Sequence, residues 1–280
     1  MLTHQLALTV EKPGLIDAAA LTRVAAALQK QATRDFGPIW GVSASVSAFA
    51  RIEDVPLGYW PVIVVADVKG AAGYHQDQNG QPYALVEVGD SWSLTASHET
   101  LEMIADPFGK RLVAGTSPKP KQGRVQFLVE VCDPSEDDAY AYTVNGVMVS
   151  DFYTPRYFDP VAASGTRYSY TGAIKAPRTI LPGGYLSWYD PKSKHWFQQT
   201  WFGGTKAVIR DLGVFDSAKF GSYRAFTDEM TPETLRLGKL GAKSAPLRAA
   251  RQAQQSGDES TEAQAKMWLS GIATLRKGRK

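Results

Sequence analysis

Residues 97–107 read Ser97, His98, Glu99, Thr100, Leu101, Glu102, Met103, Ile104, Ala105, Asp106 and Pro107. As a helix, this stretch stacks His98, Glu102 and Asp106 on successive turns of one face, because residues four apart lie above one another along the axis. Leu101, Ile104 and Ala105 are left for a core, and Glu99 falls one step round from His98. Imidazole nitrogen and carboxylate oxygen are the donors that zinc accepts, and a further carboxylate beside such an ion can act as a general base toward water. His98 and Glu102 are therefore candidate metal ligands, and Glu99 is the candidate catalytic base.

A metal held by two protein donors needs a third. The chain has four histidines, His4, His75, His98 and His195, so another carboxylate is the expected donor. Asp106 is nearest in sequence, but eight helical residues place it about 12 Å along the axis from His98, too far unless the chain turns back. Glu130 and Asp133 are the distant alternatives. Glu130 follows a strand-like run and Asp133 precedes Pro134 at a turn, so either can face the helix from outside. Glu130 is slightly preferred, and His75 is a weaker possibility.

The surrounding pattern supplies elements to hold these groups. Residues 4–10 read as a strand, closed by Pro13-Gly14. Asp17 can cap a helix from residue 18 to about 35 with Leu21, Val24, Ala25 and Leu28 on one face, and Gly37-Pro38 is expected to end it. Residues 41–52 alternate as a strand, and the apolar run 60–68 suits a buried central strand. A turn-rich segment containing Asn79-Gly80 precedes another strand at 83–88, and Ser91 or Ser93 can cap the helix that bears His98. Beyond Pro107, residues 110–124 read as a Gly-, Pro- and Lys-rich loop. Residues 125–131 form a strand, 140–152 a hairpin about Asn145-Gly146, and short strands follow at 185–189, 195–201 and 206–210.

Taken with this element order, His98-Glu99-x-x-Glu102 resembles the H-E-x-x-H helix of the zincin metallopeptidase superfamily, with Glu102 replacing the second histidine. The resemblance covers roughly residues 2–107. It implies an α+β fold: a twisted mixed sheet with one antiparallel edge strand, backed by the active-site helix. The edge strand would lie near Gly73-Tyr74-His75 or near 83–86 and would hold an extended peptide by backbone pairing. Tyr74, His75 and Tyr83 are the substrate-contact candidates. The implied function is that of a metal-dependent peptidase or related hydrolase acting on a peptide or protein, with one zinc ion. Because Glu102 is a harder ligand than histidine, another divalent cation is an alternative. A structural metal site, or a catalytically inactive zincin-like scaffold that binds a partner, also fits the pattern.

Three segments are expected: a zincin-like domain over 1–160, a β-rich subdomain over 161–225, and a basic helical or flexible tail over 226–280. Charge is unevenly placed: from Thr231 onward ten Lys/Arg oppose four Asp/Glu, giving the tail +6 and the preceding residues −3. With one aromatic, Trp268, and no recognition motif, the tail reads as solvated charge and not as a nucleic-acid surface. The single cysteine, Cys132, excludes an intramolecular disulfide. No N-terminal signal pattern and no membrane-length apolar run are visible, so a setting that is cytoplasmic or otherwise without a classical signal peptide, and no membrane insertion, are expected. The acids at 133–138 lack the spacing of a calcium loop, no G-x-S-x-G elbow surrounds Ser97, and Trp188, Trp196 and Trp201 fit a β-domain core better than a sugar-binding face.

Overall fold

The computed structural model describes residues 2–68 and 71–231. Its architecture is mixed α+β, with two five-stranded sheets, a small hairpin and few helices. The first sheet contains β1 (Leu2–Val10), β2 (Val42–Ala48), β3 (Trp60–Val65), β4 (Gly73–Gln78) and β5 (Gln81–Glu87), in the order β2-β1-β3-β5-β4. β1, β2, β3 and β5 run parallel, while β4 is an antiparallel edge. Of the two stretches considered for the edge, Gly73-Tyr74-His75 occupies it, and residues 83–86 lie one strand inward. The β4–β5 turn is Asn79-Gly80, both with positive φ, as an Asn-Gly hairpin requires.

Helix α1 (Ala18–Lys30) makes the crossover from β1 to β2 and is capped by Asp17, whose Oδ2 accepts from Ala20 N at 2.9 Å. The expected stop at Gly37-Pro38 is not observed. The helix widens into a π-helical segment, Gln31–Phe36, and continues as the short helix α2 (Gly37–Trp40) before ending at Gly41, with φ of 73°. Pro38 sits in the first turn of this last piece, where its missing N–H costs little. The widened segment also turns Gln31 inward: Gln31 Oε1 accepts from Ser97 Oγ at 2.7 Å, and Gln31 Nε2 donates to Ser150 O at 2.9 Å.

Helix α3 (Trp92–Ala105) lies between the first sheet and later elements, and twelve of its fourteen residues are buried. It packs on β4 and β5 and on β9 of the hairpin formed by β8 (Tyr142–Val144) and β9 (Val147–Val149). Ser91 is its N-terminal boundary residue but forms no side-chain cap bond.

The second sheet is wholly antiparallel, in the order β12-β11-β10-β7-β6. Its strands are β6 (Leu112–Thr116), β7 (Arg124–Leu128), β10 (Tyr185–Asp190), β11 (His195–Thr200) and β12 (Val208–Gly213). β6 lies where a loop was expected. Gly115 hides the strand from a propensity reading, yet a Cβ there would lie 2.9 Å from the Phe127 ring, so the two strands need this glycine to pack. Because β6 and β7 precede residue 160, a division there cuts through one sheet. A single buried cluster also runs from Leu6 and Leu8 through Leu101 to Trp188 and Phe197. Trp188 and Trp196 are core residues, 0 % and 1 % exposed. Helix α4 (Tyr223–Glu229) closes the described chain. The helical pattern expected after Thr231 lies outside the described residues.

Candidate metal centre

Two features set the floor of the site. α3 carries His98, Glu99 and Glu102 toward the chain that leaves β7, and that chain brings Glu130, Cys132 and Asp133 back against the helix. All four carboxylates are buried: Glu99 is 3 %, Glu102 0 %, Glu130 6 % and Asp133 2 % exposed. Glu102 is the centre. Its Oε1 accepts from Cys132 N at 3.1 Å, and its Oε2 lies 3.3 Å from His98 Nε2 and 2.6 Å from Arg224 Nη1. His98 Nε2 also lies 3.2 Å from Asp133 Oδ1.

Gly184 helps hold Asp133 in place. A Cβ on it would sit 2.5 Å from Pro134 O and 2.7 Å from Asp133 O, so the turn that presents Asp133 rests on a bare backbone.

The geometry separates the sequence candidates. His98, Glu102, Glu130 and Asp133 converge, with Glu102, Glu130 and Asp133 donor atoms within 4.8 Å of one another. Asp106 does not join them. α3 ends at Asp106 ahead of Pro107, and its Oδ2 turns to accept from Arg111 N at 2.7 Å, closing the loop after the helix.

His75 is not placed to touch a substrate either. It is 0 % exposed, with Nδ1 3.3 Å from Glu99 Oε2 and Nε2 3.2 Å from the Asp106 carbonyl. The two ring nitrogens thus bridge Glu99 to the end of α3, and the ring backs Glu99 from behind. Strand alternation then sends Tyr74 to the opposite face of β4, where it meets Tyr83 edge-on at 6.4 Å, away from α3. The proposed substrate contacts of Tyr74 and Tyr83 therefore lack access to the cleft beside α3.

That cleft has a volume near 180 Å³ and is lined by Gly73, Leu94, Thr95, His98, Glu99 and Arg224, among others. Arg224 was not anticipated. Its Nη1 contacts Glu102 and Glu130, its Nη2 lies 3.4 Å from Glu99 Oε2, and its Nε lies 3.4 Å from Asp228 Oδ2. It comes from α4, 94 residues after Glu130, and no local spacing announces it. The one local signal is Ser222, whose Oγ accepts from Ala225 N at 3.0 Å and starts the helix.

Ser97 is a structural residue: besides donating to Gln31, its Oγ accepts from Ser150 N at 2.9 Å. Cys132 is fully buried, and burial pushes its thiol well up. His195 pairs with Asp211 at 2.9 Å.

Protons reflect the crowding of acids. Burial raises Glu130 well above the ordinary carboxylate range against the pull of Arg224, and raises Asp133 to about 8 with the Glu102 charge adding to it. Glu102 stays well below that range, because His98 and Arg224 outweigh its burial. Burial alone would lower His98, but Glu102 and Asp133 push it well up. Glu99 is lowered, Arg224 and His75 outweighing burial.

Among the described residues, three groups bring their donor atoms within 4.8 Å of one another and could hold a cation: His98 with Glu102 and Cys132, His75 with Glu99 and Glu102, and Glu102 with Glu130 and Asp133. Two zinc bonds of about 2.0–2.1 Å at a tetrahedral angle separate their donors by about 3.3 Å. The His98–Glu102 and His98–Asp133 spacings of 3.3 and 3.2 Å match this. Glu130 Oε1 is also a buried oxygen that accepts no hydrogen bond.

The chain matches no family model, no curated protein and no solved structure. No described helix is long and apolar enough to cross a membrane.

Proposed function

We propose that this protein is a metal-dependent hydrolase of the zincin type, acting on a peptide or protein, with His98, Glu102 and Asp133 as the ligands and Glu99 as the base. The observation that carries this reading is the placement of His98 Nε2 between Glu102 Oε2 and Asp133 Oδ1 at ligand–ligand spacing, next to a cleft that Glu99 lines. The mixed sheet with its antiparallel edge strand β4 supports the zincin comparison. Zinc is the preferred ion; an oxygen-favouring divalent cation is the alternative that a His/Glu/Asp set permits.

A bound divalent ion would polarise the scissile carbonyl and make water more acidic. The chain supplies the rest. Glu99 takes a proton from water and returns it to the leaving amine, so water adds across the C–N bond and yields a carboxylate and an amine. His75 holds the Glu99 carboxylate in place. The outer edge of β4 offers unpaired backbone groups that align an extended substrate beside the cleft. Glu130, held by Arg224, buttresses the ligand turn from the side.

One observation favours a second reading. Arg224 contacts Glu99, Glu102 and Glu130 together, an arrangement that also suits a catalytically inactive scaffold whose acids serve stability. Metal content and peptidase activity of three forms separate the two. Wild type is expected to hold one zinc and cleave unstructured peptide, His98→Ala to lose both, and Glu99→Gln to keep zinc and lose cleavage. Zinc absent from wild type after add-back, or cleavage unaffected in Glu99→Gln, rejects the hydrolase.

A further inference from the structure

The position of Arg224 bears on how an ion enters. Its guanidinium is buried, 3 % exposed, and its Nη1 approaches the same Glu102 oxygen, Oε2, that faces His98. A carboxylate oxygen held at 2.6 Å by a guanidinium is not free to bind a divalent ion, because two cations this close repel strongly in a poorly solvated site.

The backbone of Arg224 is fixed. Gly109 O accepts from Tyr223 N at 3.1 Å and from Arg224 N at 3.2 Å, and Phe226 packs on Trp196. A Cβ on Gly109 would lie 2.8 Å from Arg224 Cβ, so the helix start is pressed against that turn. The side-chain head, by contrast, has two further acidic partners besides Glu99 and Glu102: Glu130 and Asp228.

We infer that Arg224 is a resident cation that competes with the divalent ion for Glu102, so that ion binding requires the guanidinium to withdraw onto Glu130 and Asp228. This rests on the metal reading above. Arg224 thus acts as a positioning residue: it neutralises the acids when no ion is bound, and it sets how tightly an ion is held. Asp228 is its retreat, and the two therefore oppose each other in their effect on affinity.

Calorimetric titration with zinc chloride alone tests this on four full-length forms. Arg224→Gln is expected to bind zinc about tenfold or more tightly than wild type, the competitor being gone. Arg224→Lys, whose single ammonium cannot span three carboxylates, is expected to bind more tightly by a smaller factor and serves if the glutamine variant does not fold. Asp228→Asn, a change at the partly exposed end of the contact, is expected to bind about threefold more weakly. Zinc binding by wild type with equal or weaker affinity in both Arg224 variants overturns the competition and leaves the metal site standing. No zinc binding by any form overturns the metal reading, and the competition with it.

Discussion

Glu102→Gln is the substitution with the sharpest consequence for stability. Glutamine keeps the shape and retains an oxygen for Cys132 N, which Glu102 Oε1 meets at 3.1 Å. It removes the charge that Arg224 meets at 2.6 Å and His98 at 3.3 Å, both in a fully buried position. Breaking one side of a buried ion pair costs about 3–5 kcal/mol, because the partner remains buried without its counter-charge. Part of this returns, since Glu102 is one of the charges that push Glu130 and Asp133 up and its removal relieves them. The expected net loss is therefore at the low end, about 3 kcal/mol. Urea unfolding in chelator reads it as a lower midpoint at unchanged slope. A loss within about 0.5 kcal/mol, as for an exposed charge, would refute a central buried role for Glu102. Asp106→Asn gives the contrast: it weakens the Arg111 contact, costs about 1 kcal/mol, and leaves zinc affinity unchanged.

Other consequences follow from single contacts. Gly184→Ala drives a Cβ into Pro134 O and Asp133 O and is expected to cost about 1–3 kcal/mol and lower zinc affinity, read by urea unfolding and calorimetry. Asp35 accepts from Tyr142 and Tyr170 hydroxyls at 3.0 and 2.8 Å and pairs with Arg34; burial pushes it up, but these partners outweigh burial and hold it below its ordinary 3.8. A depressed carboxylate stabilises fully above its unfolded value and loses that contribution as pH falls through its folded one. Stability measured below about pH 4 should therefore fall less steeply in Asp35→Asn than in wild type, and equal slopes would contradict this. Cys132 is expected to resist a thiol reagent in the native protein and to react at once in denaturant; fast native labelling would contradict its burial.

Local patterns made much of the scaffold legible. The cap at Asp17, the Asn-Gly turn, the central run at β3 and the helix bearing His98 each follow from short-range chemistry. The sequence also narrowed the edge strand to two stretches and brought Glu130 and Asp133 into view as partners for the helix. What escaped depends on distant contacts. The π-helical widening begins at Gln31, which reaches Ser97 and Ser150, and in β6 Gly115 lies close against Phe127. Asp106 sits on the expected helical face, yet its side chain is spent on Arg111. Tyr74, His75 and Tyr83 lie close together in the sequence pattern, although strand alternation puts Tyr74 on the face opposite His75. Arg224 carries no spacing signal at all, because only the closing of α4 over the second sheet delivers it to two acids of α3 and to Glu130 on the chain after β7.

The most direct measurement is an anomalous difference map at the zinc edge from a crystal of the protein grown with zinc. The account predicts one peak about 2.0–2.2 Å from His98 Nε2, a Glu102 oxygen and an Asp133 oxygen, with the Arg224 head moved off Glu102. No peak among these three residues, or a peak elsewhere with Arg224 still seated on Glu102, would contradict it.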